Sequence, residues 1–165
     1  MANIKPQIHT DKNNEFKYKE VTDIILRSFY EIYNELGDGF LESVYENALY
    51  IVLTEYGLSV ERQKDISVFF RGNVIGDFKA DLIVEGKVIV ELKAVRARDP
   101  AHEAQLINYL KATNIEVGLL LNFGRKPEFK RFVFNNKRFN NKRKNISANQ
   151  RKSVAEIVLE RNNDA

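Results

Sequence analysis

Residues 81–93 read DLIVEGKVIVELK. Leu82, Ile83 and Val84, then Val88, Ile89 and Val90, flank Glu85-Gly86-Lys87 in the pattern of a buried β-hairpin. Asp81 opens the stretch, and Glu91 and Lys93 close it. Burying an unpaired charge costs several kcal/mol, so charges at the ends of strands this apolar are paired, exposed or functional.

Side chains on a strand alternate faces, so Glu91 and Lys93 share one face while Val90, Leu92 and Ala94 share the other. The position of Asp81 depends on register. A three-residue turn over 85–87 pairs Val84 with Val88 and sets Asp81 opposite Glu91. A two-residue turn pairs Asp81 with Val90 and sends Glu91 to the far face. Both lengths occur in hairpins, and Gly86 suits the left-handed position of the longer one. In that case two carboxylates stand roughly 5 Å apart at Cβ. They repel unless one takes a proton or a cation joins them. Mg²⁺ suits such a site, since it binds one or two carboxylates together with water and substrate phosphate. Lys93 would offset the charge and orient or deprotonate a water activated by the metal. The plainer reading is a cross-strand ion pair between Asp81 and Lys93 at a solvated sheet end.

Outward from the hairpin, Leu58 to Phe70 and Val74 to Val84 alternate with a period of two about Arg71-Gly72-Asn73. This predicts two strands, the first with an irregular start, and Val88 to Val95 predicts a third. From Tyr18, Val21, Ile24, Ile25, Phe29, Ile32, Tyr33 and Leu36 recur at helical steps until Gly37-Asp38-Gly39. A second helix, from about Leu41 to Tyr56, carries Leu41, Val44, Tyr45, Ala48, Leu49 and Val52 on one stripe and ends at Gly57. Asp99-Pro100 starts a third helix, with Ala101, Ala104, Leu106 or Ile107, and Leu110 at helical spacing. Val117 to Phe123 is the continuous apolar run of a central strand, and Lys130 to Phe134 would add another. The order reads as an α/β (α+β) fold, a mixed sheet flanked by helices.

The net charge of +3 conceals an asymmetry. Residues 125–144 hold nine Lys or Arg against the single acid Glu128, a local +8 that leaves −5 on the rest. A basic end on an acidic body suits a polyanionic partner; a solvated tail would carry the same residues. Residues 1–16 read as a flexible arm, 17–135 as the folded domain, and 136–165 as a basic, Asn-rich flexible tail with a short helix around Ser153 to Leu159. There is no cysteine, which excludes disulfides, iron–sulfur clusters and thiolate zinc. No apolar run nears the ~20 residues of a membrane span. The N-terminal stretch lacks a signal-peptide core, so the expected compartment is the cytoplasm, with no membrane partner.

Asp81 followed by a turn and Glu91-Leu92-Lys93 resembles the motif of the PD-(D/E)XK nuclease superfamily. GFLESVY, with Gly39, Glu42 and Tyr45, resembles the signature of its GxxExxY family. AQLINYL places Gln105 and Tyr109 in the Gln-x3-Tyr spacing of RecB-like members, and GLLLNFG (118–124) looks like the family segment after the crossover helix. The resemblance implies a restriction-endonuclease-like αβββαβ core with a four-stranded mixed sheet and an extra N-terminal helix. It implies that Asp81, Glu91 and the Leu92 backbone carbonyl ligate Mg²⁺, with Mn²⁺ able to substitute. Glu42 would join through a water, Lys93 would position the attacking water, and Gln105 would complete the catalytic set. Tyr109 would approach the nucleic-acid backbone, Tyr45 would brace the site from beneath, and Gly39 would meet a backbone requirement. Ala80 stands where the superfamily's name has Pro, and His9 and His102 have no place in the motif.

The expected function is a Mg²⁺-dependent nuclease that hydrolyses phosphodiester bonds of DNA. Arg125, Lys126, Lys130 and Arg131 are the nearest cations for the nucleic acid, and double-strand cutting would call for a homodimer. The alternatives are a non-catalytic nucleic-acid-binding module that keeps the fold, and a protein-assembly domain. A drifting site tends to lose one of its groups, and here the set is complete.

Overall fold

The register of the 81–93 hairpin is the three-residue one. Val84 pairs with Val88, Ile83 with Ile89 and Leu82 with Val90. Glu85 and Gly86 both lie in the left-handed region, at φ 55° and 61°, and the Lys87 amide donates to the Val84 carbonyl at 3.0 Å. Glu85 tolerates that backbone because Ser59 grips it twice. The Glu85 amide donates to the Ser59 carbonyl at 2.8 Å, and the Ser59 amide donates to Glu85 Oε1 at 2.6 Å.

The computed structural model describes residues 17–136. The expected arm over 1–16 and the tail from 137 onward, with its helix around Ser153 to Leu159, lie outside the described residues, as does His9. The chain divides into two units, Met1–Phe134 and Asn135–Ala165. The first contains α1 (Lys19–Leu36), α2 (Glu42–Glu55), β1 (Val60–Phe70), β2 (Asn73–Val84), β3 (Val88–Lys93), α3 (Pro100–Ala112), β4 (Val117–Phe123) and β5 (Pro127–Val133). The strands form one sheet in the order β1-β2-β3-β4-β5. All neighbours are antiparallel except β3 and β4, which run parallel because α3 carries the chain back across the sheet. This is the restriction-endonuclease-like arrangement, with one strand beyond the expected four.

The fifth strand begins at Pro127, three residues before the predicted start at Lys130. Proline is tolerated there because it opens an edge strand, where no ladder donor is needed. β3 stops at Lys93 rather than Val95, since the Asn122 side chain takes the place of a backbone partner for Val95. β1 starts at Val60 because Leu58 still closes α2: its amide donates to the Leu53 carbonyl at 3.1 Å, behind a left-handed Gly57.

The sheet separates two apolar layers. α1 and α2 pack Ile25, Phe29, Tyr45, Leu49 and Leu53 on Leu82, Val84, Val90, Leu92, Leu119 and Phe123. α3 packs Leu106, Tyr109 and Leu110 on the other face, with Ile83, Ile89, Leu120 and Phe132. Two predicted stripes are rotated. Leu41 and Val44 are exposed while Glu46 and Leu53 are buried, and Ala101 and Ala104 face outward. Burial follows apolar area, so the larger Tyr45, Leu49 and Leu53, and Leu106, Tyr109 and Leu110, set the buried faces and small alanines yield. No helix among the described residues is long and apolar enough to cross a membrane.

Tyr45 ties this core to the α1–α2 loop. Its ring stacks on Phe123 at 4.2 Å, its hydroxyl donates to the Gly37 carbonyl at 2.8 Å, and it accepts from the Phe40 amide at 3.3 Å. Between them Gly39 has a φ of 103°, which side-chain residues avoid. Removing the hydroxyl strands a carbonyl and an amide together. Tyr45→Phe should therefore lower stability in urea by about 1–3 kcal/mol, with the fold retained by circular dichroism.

Candidate active site

β2 and β3 pair at only three positions and then part beyond Leu82 and Val90. Asp81 stands where they diverge, and its side chain replaces the missing rung: Oδ2 accepts from the Leu92 amide at 2.8 Å. One residue back on β3, Glu91 is 2 % exposed. Its Oε1 accepts from Lys93 Nζ and from Gln105 Nε2, each at 2.9 Å. Its Oε2 is buried with no hydrogen-bond partner among the described residues. A buried carboxylate oxygen without a donor is rare enough to require an explanation.

The electrostatics follow from that burial. Removal from water, then the charge of Asp81, pushes the Glu91 carboxyl up to about 7, outweighing Lys93. Asp81 is raised as well, chiefly by burial and against the pull of the Leu92 amide and Lys93. Burial draws Lys93 down, yet its bond to Glu91 and the charges of Glu91, Glu42 and Asp81 leave it above the ordinary value. Lys93 therefore keeps its proton, and the two carboxyls have reason to share a cation.

Glu42 opens α2 and its Oε1 accepts from the Ala94 amide at 3.3 Å, close enough for its charge to raise both Asp81 and Glu91. Among the described residues no three His, Cys, Asp or Glu side chains converge to hold a metal ion. Two carboxylates completed by carbonyl, water and phosphate oxygens suit a hard divalent cation better than a protein-only cage. The unpartnered Oε2 beside Asp81 fits that donor set.

The structure brings Asp81, Glu91, Leu92, Lys93, Glu42 and Gln105 together. Tyr109 lies beneath them, packed on the sheet. It is 3 % exposed, its ring lies 5.5 Å from that of Phe78, and its hydroxyl accepts from Gln105. A side chain so enclosed supports Gln105 and has little surface for a nucleic-acid backbone. Arg125 and Lys126 are exposed after β4. Lys130 is paired with Glu103 at 2.6 Å, and Arg131 donates to the Lys17 carbonyl at 2.7 Å. Arg131 is therefore structurally engaged, and Lys130 would have to leave Glu103 to meet a phosphate. His102 lines an open cleft with Lys93, Val95 and Leu120.

Three further features escape a reading of the sequence. Glu46, one helical turn after Glu42, is 7 % exposed and bound by Arg62 and Gln63. Gln63 also stands 3.5 Å from Asp81 Oδ1. Asn122 exchanges two 3.0 Å bonds with the Val95 backbone, and a Cβ on Gly124 would fall 2.2 Å from the Val95 carbonyl oxygen. Asn122 and Gly124 thus press the chain leaving Lys93 onto β4. The Glu42/Glu46 spacing was the one sequence signal for the first of these.

Residues 19–132 match the family described as the PD-(D/E)XK nuclease superfamily. No curated protein matches the chain. A crystal structure of SSO0001 is 21% identical over 74% of this chain and 61% of that one, with a TM-score of 0.47. The structure of an alkaline exonuclease (LHK-Exo) from Laribacter hongkongensis is 14% identical over 70% of this chain and 66% of that one, with a TM-score of 0.44. The chain spans less than two thirds of the length of either.

The raised Glu91 carboxyl sets a pH dependence of known sign. Its folded value of about 7 exceeds the ordinary 4.5, so its contribution is fully present below about 4.5 and is lost as pH rises through about 7. Raised Asp81 acts in the same direction. Glu91→Gln removes the Glu91 contribution. Urea stability of the metal-free variant relative to wild type should therefore rise between pH 5 and 8, by on the order of 3 kcal/mol.

Proposed function

The chain belongs to the PD-(D/E)XK nuclease superfamily, and from that premise we propose that it is a Mg²⁺-dependent nuclease of the GxxExxY branch that hydrolyses phosphodiester bonds of DNA. The observation that carries this reading is the buried, partnerless Glu91 Oε2 beside Asp81. Asp81, Glu91 and the Leu92 carbonyl would hold the cation, with Glu42 joining through a water. Bound there, a divalent cation supplies positive charge for the phosphate and a lowered pKa for water.

The chain's own groups divide the remaining tasks. Gln105 and Lys93 both occupy Glu91 Oε1, which leaves Oε2 as the oxygen to be shared. Tyr109 fixes the Gln105 amide from below. Lys93 holds its proton, so it serves as a fixed positive charge that orients the attacking water and meets the charge developing on the phosphoryl oxygens. Arg125 and Lys126, exposed after β4, would hold neighbouring phosphates, and double-strand cutting would need a second copy of the chain.

Purified protein should release 5′-phosphate ends from labelled DNA with Mg²⁺ or Mn²⁺ and not with chelator. Asp81→Asn, Glu91→Gln and Lys93→Ala should each lower the rate by about 10²–10³-fold or more, with unchanged circular dichroism. Mn²⁺ should broaden the amide signals of 81 and 91–93 in wild type and spare them in Asp81→Asn. Undiminished cleavage by all three variants would refute the assignment.

A further inference from the structure

The β1–β2 ladder keeps one register on both sides of Asp81, with Arg62 opposite Leu82 and Lys64 opposite Ala80. Gln63, the residue between them, makes no ladder pair and has a φ of 47°. A non-glycine residue inside a strand avoids that left-handed region unless its surroundings hold it there. Gln63 Nε2 donates to Glu46 Oε2 at 2.6 Å and stands 3.5 Å from Asp81 Oδ1. Glu46 is itself buried and accepts from Arg62 Nε at 3.1 Å, so α2 offers the amide a fixed, charged anchor.

We infer that Gln63 is a positioning residue: anchored on Glu46, it aims the Asp81 carboxylate, and its left-handed backbone is what that placement requires. The inference rests on the reading that Asp81 helps hold a divalent cation at the phosphate. The two distances divide the work. The bond to Glu46 is short and charge-assisted, whereas the contact with Asp81 lies at the outer limit of a hydrogen bond. Gln63 therefore confines Oδ1 without filling its lone pairs, which stay free for the cation. The Leu92 amide confines Oδ2 from the other side. Asp81 is thus steered from both neighbouring strands, by Gln63 on β1 and by the Leu92 amide on β3. Outer residues that orient a ligating carboxylate govern the affinity of the site for its metal.

Gln63→Gly and Gln63→Asn test this against wild type. Both residues accept a left-handed backbone, so both variants should fold and melt within a few degrees of wild type. Neither carries an amide that reaches Glu46 and Asp81 together. Mn²⁺ affinity by calorimetry should fall about 10- to 100-fold in both. In metal-free protein the Leu92 amide signal, which reports Asp81 Oδ2, should shift. A purely structural role would move the melting temperature and leave affinity and the Leu92 signal at their wild-type values, and that result overturns the inference. If wild type itself binds no Mn²⁺, the proposed function fails, and the metal-free signal decides alone. An unmoved Leu92 amide then overturns the positioning role, and a moved one supports it.

Discussion

The bond between Asp81 Oδ2 and the Leu92 amide is the constraint on which the site depends. β2 and β3 must separate to open a space between them, yet a separated strand leaves an amide without its ladder partner. Asp81 satisfies that amide with a carboxylate, so the place where the sheet opens is also the place where negative charge is fixed. The three-residue turn at 85–87 makes this possible, because it puts Asp81 level with Glu91 instead of Val90. The Glu85–Ser59 contacts that sustain the turn are therefore part of the site's construction, although they lie at the far end of the strands.

The rest of the fold keeps that opening rigid. β3 and β4 are covered on both faces, so Glu91 and Lys93 project from the best-packed part of the sheet. Beyond Lys93 the chain is held by Asn122 and by its close approach to Gly124. Tyr45 and Phe123 stack beneath, and Tyr45 also fixes the loop from which Glu42 enters α2. A site assembled this way loses little entropy when a ligand arrives, because its polar groups are already oriented by packing and hydrogen bonds.

Much of this was legible in the sequence, for local reasons. Alternation put Glu91 and Lys93 on one face. Gly37, Gly57 and Asp99-Pro100 marked helix ends because caps and left-handed stops are short-range. Turn length alone left Asp81 undecided, and it took the observed pairing to place it. What stayed hidden is tertiary. Glu46 reads as a surface charge until Arg62 and Gln63 cover it. The left-handed Gln63 has no sequence signature, since glutamine is not a residue that favours that region. The rotated stripes of α2 and α3 depend on which side chains win the available apolar area. Tyr109 could face solvent or the sheet from spacing alone, and only packing against Phe78 decides it.

The charge count around the opening explains why a proton and a cation are alternatives there. Asp81, Glu91, Glu42 and Glu46 face Lys93 and Arg62, and the ion pairs formed are Lys93–Glu91 and Arg62–Glu46. Two carboxylates remain without an ion pair among the described residues, the charge that one divalent cation would neutralise. Without it, the cheapest relief is for Glu91 to take a proton, which is what its elevation to about 7 expresses. Cation and proton would then compete for the same buried carboxylate, so binding of one must release the other. The strain of the metal-free site and its affinity for a cation are two measures of one electrostatic imbalance.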